Sequence, residues 1–397
     1  MRKLMARLAT SLVLLASAAH GQTPPVITDG SDPAVADQTI LFVPEGVVSC
    51  ADGPLHSTAS DDFAPTLWGT TFNTLPVGQR IEQATWAFGV SDAGHPQSIR
   101  PVIDDAALRP TAVIDAQVQA SFASWTFPRQ ARKDCRLTLR YTPTPIATAD
   151  TDILIRFYAL ARPGRPIREA VERRLRRPGD DCDRPPPLKN LAYPNFLLDR
   201  PRPGSRSWAG VRWDVAADGT TTAIETIGSS GDTVLDSEVR RAMAETSFQS
   251  GPSKGCLYSY WRDGPNLPAP PMNRDAPEDP LATCTEAVAG RFTPGPLVYP
   301  PALQDRGIEG WARIRFDVAS WGAIGNVAIV EAEPVATFGE PAMRIVMSGR
   351  ATPSFEAATR CVVPIVFRIP EADQPGGARL PGTGPGPGTA PRPPAPF

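Results

Sequence analysis

The sequence predicts an α+β protein of three tandem small modules, each a helix packed on a three-stranded antiparallel sheet with one disulfide. Three observations predict it. A hydrophobic pattern recurs around Gly94, Gly219 and Gly322, six cysteines fall two to each repeat, and proline-rich stretches punctuate and follow the repeats. The 397 residues are long enough for two to four domains, and 41% hydrophobic residues suffice for ordinary cores. The 46 prolines mark segments that are neither helix nor central strand.

Aligned on the three glycines, the flanks agree without gaps. Six residues before each lies an aromatic (Phe88, Trp213, Phe316), four before a valine (Val90, Val215, Val318), eight before Trp86, Val211 or Ile314. Polar or small residues alternate with them, as Arg313, Arg315 and Asp317 show in the third copy, which is the period of a half-buried strand. Ala217-Asp218-Gly219 is a hairpin signal, and a second strand follows with Ile99, Ile224 and Val327, then Val102, Ile227 and Val330.

A helical pattern comes next in each copy: Ile114, Val118 and Phe122; Leu235, Val239 and Met243; Phe338, Ala342 and Val346, with Met343 and Met347 beside them. Pro341 falls in a first turn, where proline is tolerated. Each helix ends near an aromatic expected to be buried, Phe127, Phe248 or Phe355. A cysteine then opens the last strand, at Cys135, Cys256 and Cys361, and each copy has one more cysteine ahead of its hairpin, Cys50, Cys182 or Cys284. Of the fifteen pairings six cysteines allow, the repeat selects Cys50–Cys135, Cys182–Cys256 and Cys284–Cys361. In the chain-entropy model, closing each loop stabilises its module by about 4 kcal/mol.

The boundaries follow composition. Residues 1–21 read as a signal peptide, with Arg2, Lys3 and Arg7 before the apolar run Leu8–Ala19 and small residues at the cleavage point; a retained membrane anchor is the alternative. Module 1 is expected over 38–161, a basic linker over 162–181, module 2 over 182–262, a proline-rich linker over 263–280, module 3 over 281–370, and a disordered Pro/Gly-rich tail over 371–397. This places the mature chain in the periplasm. Residues 162–181 have room for a short helix in their middle, and their arginines read as a solvated linker or as a contact for an anionic surface.

Net charge −2 argues against binding nucleic acid by phosphate neutralisation. The three histidines, His20, His56 and His95, form no aligned triad, and there is no nucleophile elbow, phosphate loop, CxxC or zinc helix. No catalytic residue, metal, cofactor or small-molecule substrate is expected. Asp214 and Asp317 occupy equivalent positions and read as strand-face or turn-capping residues.

The third copy carries a resemblance. Tyr299-Pro300-Pro301-Ala302, Gly307-Ile308-Glu309-Gly310, the strand from Ala312 to Val318, Gly322, Asn326-Val327 and the last strand Val363-Pro364-Ile365-Val366-Phe367-Arg368-Ile369 resemble the TonB C-terminal domain family over 284–369. The second copy is similar through Tyr193-Pro194, Trp213-Asp214-Val215 and Asp218-Gly219; the first is placed by the hairpin, helix and cysteine pattern. The resemblance implies a module that contacts outer-membrane receptors or other envelope proteins by adding their peptide as a strand to its sheet edge. The contact surface it implies is Val362, Val363, Pro364, Ile365, Val366, Phe367 and Arg368 with Tyr299 and Pro300, although alternation makes Val363, Ile365 and Phe367 core-facing. A transducer of this family has a membrane helix and a proline-rich spacer ahead of a single module; here a leader precedes three modules and the proline-rich tail comes last. The cysteine pair is an addition to the family pattern.

Overall fold

The computed structural model describes residues 40–67, 83–103, 112–161, 165–249, 251–272, 281–284, 292–353 and 357–370. The expected leader, Phe355 and the tail from 371 lie outside them. Module 1 contains β1 (Ile40–Cys50), β2 (Gly53–Pro54), β3 (Thr66–Leu67), β4 (Gln83–Val90), β5 (Pro96–Pro101), α1 (Ala112–Ala123) and β6 (Arg132–Pro145). Two helices follow, α2 (Thr151–Ala161) and α3 (Arg165–Leu175). Module 2 contains β7 (Leu188–Asn190), β8 (Arg206–Val215), β9 (Thr221–Ser229), α4 (Thr233–Glu245), β10 (Ser247–Phe248) and β11 (Ser253–Asp263). Module 3 contains β12 (Phe292–Thr293), α5 (Pro301–Asp305), β13 (Gly310–Val318), β14 (Ile324–Glu333), α6 (Gly339–Met347), β15 (Arg350–Ala351) and β16 (Ala358–Phe367).

Each module is built on one antiparallel three-strand unit in which the last strand pairs with the first: β6-β4-β5, β11-β8-β9 and β16-β13-β14. The repeat extends to single backbone angles. The three aligned glycines have φ of +83°, +85° and +88°. A Cβ at Gly94, Gly219 or Gly322 would lie 2.3, 2.1 or 2.2 Å from the carbonyl oxygen of Phe127, Phe248 or Ala351. A bare backbone is therefore required for the hairpin to touch the chain leaving the helix. Four residues after each glycine, Ser98, Ala223 and Asn326 share a left-handed conformation, and so do Asp134, Gly255 and Arg360 just before each last-strand cysteine. Asp214 and Asp317 accept the N–H of Gly255 (2.8 Å) and Arg360 (2.7 Å), which gives these aligned carboxylates a bulge-capping role.

The strand pattern sets the cores. Phe88, Trp213 and Phe316 are all buried, as are Val90, Val215 and Val318, and the helices bury Ile114, Val118 and Phe122, then Leu235, Val239 and Met243, then Phe338, Ala342 and Val346. Met347 is exposed. Phe127 and Phe248 are buried where expected, and Ala351 takes the corresponding place in module 3. The disulfides join Cys50–Cys135, Cys182–Cys256 and Cys284–Cys361, each inside one module.

The basic linker holds a helix in its middle, α3, and that helix is docked. Ile167, Ala170, Val171 and Leu175 are spaced for one face of α3, and the last three are buried with Leu154, Ile155, Phe157 and Tyr158 of α2. Arg168 bonds Glu172 (2.9 Å) and the Tyr158 hydroxyl (2.8 Å), while Arg177 bonds Glu225 (2.8 Å). This helical hairpin packs on the sheet of module 2, where Ile155 occupies space that any side chain at Gly210 or Gly228 would fill. Part of the proline-rich linker is docked as well: the Leu267 N–H donates to Gly307 O (2.8 Å), the Glu309 N–H to Leu267 O (2.9 Å), and the Trp311 indole to Pro270 O (2.8 Å).

The modules pack on one another. Modules 1 and 3 share a continuous core, α1 lies against α5, and β5 meets the end of β14 through a parallel bridge between Ile99 and Val335. The Ser98 N–H (2.7 Å) and hydroxyl donate to the Glu333 carboxylate. All three modules converge on Asp61, whose buried carboxylate accepts from Arg202 (2.9 Å), the Arg206 N–H (2.8 Å) and Arg306 (2.6 Å).

Candidate functional site

The last strand of module 3 alternates sharply. Cys361, Ile365 and Phe367 are buried and Val363 packs against the core, while Val362 (37%) and Val366 (40%) are exposed, as are Pro364 and Arg368. The ladder to β13 runs without a register shift from Phe316↔Cys361 to Gly310↔Phe367. The Thr359 N–H and carbonyl turn away from β13 toward Thr283, and the bulge at Arg360 then shifts the alternation by one residue, so from Cys361 onward odd-numbered residues turn their peptide groups toward β13. Even-numbered residues turn theirs outward. The outer side thus presents the N–H groups of Val362, Val366 and Arg368 and the carbonyls of Val362, Pro364 and Val366. Proline is tolerated in a sheet where its nitrogen faces an unpaired side, which is where Pro364 sits.

The start of this edge is tied. At the start, the Thr283 N–H donates to Thr359 O (3.1 Å), the Thr359 N–H donates to the Thr283 hydroxyl (2.9 Å), and the Cys284–Cys361 bridge follows. Past the far end, Asn266 donates to Ile369 O (3.3 Å) from beside the Gly307–Glu309 segment that leads into β13. Between them Val362 to Arg368 span about 20 Å of strand. Among the described residues, no strand pairs with their outer side.

The equivalent edges of the other modules are built differently. In module 1, β1 runs antiparallel along β6 from Ile40↔Pro145 to Ser49↔Arg136. Its register can be transferred residue by residue, because Phe88↔Cys135 and Trp86↔Leu137 match Phe316↔Cys361 and Ile314↔Val363. In module 2 the edge is β11; α2 packs on the face of that sheet, over β8, β9 and β11, where Leu257 and Ser259 are buried, and among the described residues no strand pairs with the outer side of β11. Among the described residues, a strand covers this edge in module 1, a helix packs on the adjoining sheet face in module 2, and neither lies along β16 in module 3.

Tyr299 and Pro300 lie behind this edge and are not brought to its open side. The Tyr299 hydroxyl donates to Ile308 O (2.6 Å), its ring meets Phe338 and Phe367 edge-on at 6.0 and 5.5 Å, and Pro300 is buried. They hold the strand's inner face. The outer face beside the edge carries Arg313 opposite Pro364 and Arg315 opposite Val362, with Glu331 3.8 Å from Arg313. Asp317 is held below the usual carboxylate range by hydrogen bonds from Asn326 and the Arg360 N–H. Among the described residues, no group of histidines, cysteines and carboxylates is arranged to hold a metal ion. The chemistry on offer is hydrogen bonding along a strand.

Sequence reasoning missed the edge cover. Ile40–Val43 is an apolar run that signals a strand, yet nothing local tells that it pairs with β6. It also missed Asp61, whose importance comes from residues 141 and 245 positions away.

Residues 295–369 match the family model for the Gram-negative bacterial TonB protein C-terminal, which covers module 3 from before α5 to the end of β16. That family is an interaction domain rather than an enzyme. Modules 1 and 2 lie outside the match. No curated protein is significantly similar to the chain.

Proposed function

We propose that module 3 docks an extended segment of an envelope partner, such as the periplasmic end of an outer-membrane receptor, as an added strand on β16, in support of TonB-linked transport. The open edge from Val362 to Arg368 carries this reading. Such an edge supplies main-chain hydrogen bonds for affinity, and its exposed Val362, Pro364 and Val366 supply an apolar surface for alternate guest side chains. Export by the 1–21 leader would place the edge in the periplasm, where the three disulfides persist. The test is calorimetric titration of the full mature chain with synthetic peptides from receptor N-termini. Saturable binding that is lost on substituting the even-numbered β16 residues supports it; no binding at millimolar peptide overturns it.

A second reading, a purely structural envelope component, is favoured by the junction at Asp61 and by the shared core of modules 1 and 3. It predicts a rigid particle in small-angle scattering, with no partner recovered through β16. A membrane-anchored transducer requires residues 8–19 to be retained, and sequencing the mature N-terminus decides that point.

A further inference from the structure

The three equivalent edges carry different residues at one outward position. Thr138 sits there under β1, Ser259 is buried beside α2, and Pro364 stands exposed on β16. The proline is thus found on an edge that, among the described residues, no strand pairs with and no helix covers on its outward face. Unpaired edges are templates for pairing with another copy of themselves, and proline is one of the devices that blunt them.

We propose that Pro364 keeps the open edge of β16 from pairing with the β16 edge of a second copy of this chain, while still admitting a foreign strand. The discrimination comes from counting donors. A foreign strand laid on β16 meets one missing N–H, so one of its carbonyls goes without a ladder bond. Two copies pairing edge to edge bring two prolines, and two carbonyls go unpaired. Each ladder bond is worth about fivefold in an association constant, so self-pairing is penalised about 25-fold where a guest is penalised about fivefold. In the middle of the strand Val362 and Val366 are apolar, and the tie at Thr283 lies before them.

The test uses the full mature chain with its disulfides intact and reads sedimentation velocity over a concentration series. It depends on no guest peptide, so it stands or falls separately from the docking function above. Pro364→Thr, which installs the residue of module 1, is expected to raise dimer association about 25-fold over wild type. Pro364→Ala restores the same N–H and substitutes for the threonine variant if that one does not fold. Pro364→Thr combined with Val366→Pro moves the missing donor to the next outward position and is expected to return the protein to wild-type behaviour. The inference is overturned if both donor-restoring variants match wild type, if the dimer persists in the double variant, or if wild type already dimerises through β16.

Discussion

Replacing Asp61 with alanine tests whether the three modules form one mechanical unit. The Asp61 side chain is 4% exposed and serves three donors from two other modules. Arg306 is itself buried, which pushes its guanidinium pKa down, and Asp61 is the foremost charge opposing that push. Removing one partner of a buried pair leaves an uncompensated charge and costs about 3–5 kcal/mol. Arg202 is a third exposed, so its share is screened by solvent and adds little. Arg206 keeps its bond to Asp263 at 2.6 Å, and only its backbone N–H is orphaned. The expected loss is therefore about 3–5 kcal/mol, located at the junction rather than inside any disulfide-closed module. Native-state hydrogen exchange should show the Arg206 amide and the β5–β14 contact losing protection while the cores around Trp86, Trp213 and Phe316 keep theirs. A double-mutant cycle with Arg306→Met isolates the pair. A coupling below about 0.5 kcal/mol, or uniform loss of protection through all cores, refutes the reasoning.

Peptide mapping without reduction should recover only bridges within modules, and Cys284→Ser with Cys361→Ser should cost module 3 about 4 kcal/mol on the chain-entropy model; one bridge between modules sinks the repeat assignment. Gly219→Ala should destabilise module 2 by about 2–4 kcal/mol, since alanine resists the left-handed angle and its Cβ displaces the Phe248 carbonyl that packs on the turn. A denaturation midpoint unchanged by that substitution contradicts the geometry. Burial raises the Glu333 pKa above its ordinary 4.5, so the folded state holds this proton more tightly than the unfolded chain does. The stabilising contribution is complete below pH 4.5 and disappears as pH rises through the raised value. Wild type should therefore gain stability relative to Glu333→Gln on acidification, measured by thermal unfolding from pH 7 to pH 4; a difference that is flat with pH argues against it. Val366→Pro, which deletes a second outward donor, should weaken guest binding about fivefold without changing the unfolding midpoint.

Period-2 and period-3.6 patterns made the three hairpin–helix–strand units legible, because their signals are local. The aligned glycines were readable for the same reason: a turn that touches a carbonyl leaves no room for a Cβ at Gly94, Gly219 or Gly322. The β16 edge could be anticipated in residue range from the ordered pattern around Val363–Ile369. Its openness could not, since that depends on what the rest of the chain does with the edge. Tyr299 illustrates the limit, as an aromatic ahead of a turn reads equally as contact or as core until Phe338 and Phe367 are seen around it. In the arginine-rich run 162–181 a short helix was legible, but its docking on module 2 was not. Four apolar residues at helical spacing outweigh the charges around them once a sheet with Gly210 and Gly228 offers a groove.

The contact between Ser98 and Glu333 spans 235 residues and skips the whole of module 2. A chain emerging amino-terminus first can close the Cys50–Cys135 loop early, but the surface of module 1 that joins module 3 must stay bare until nearly all of the polypeptide is out. That interval is when the shared apolar face is most exposed to wrong partners. Local cystines shorten the hazard, because each unit arrives at assembly already shaped and the last step becomes docking of finished pieces instead of a search by loose chain.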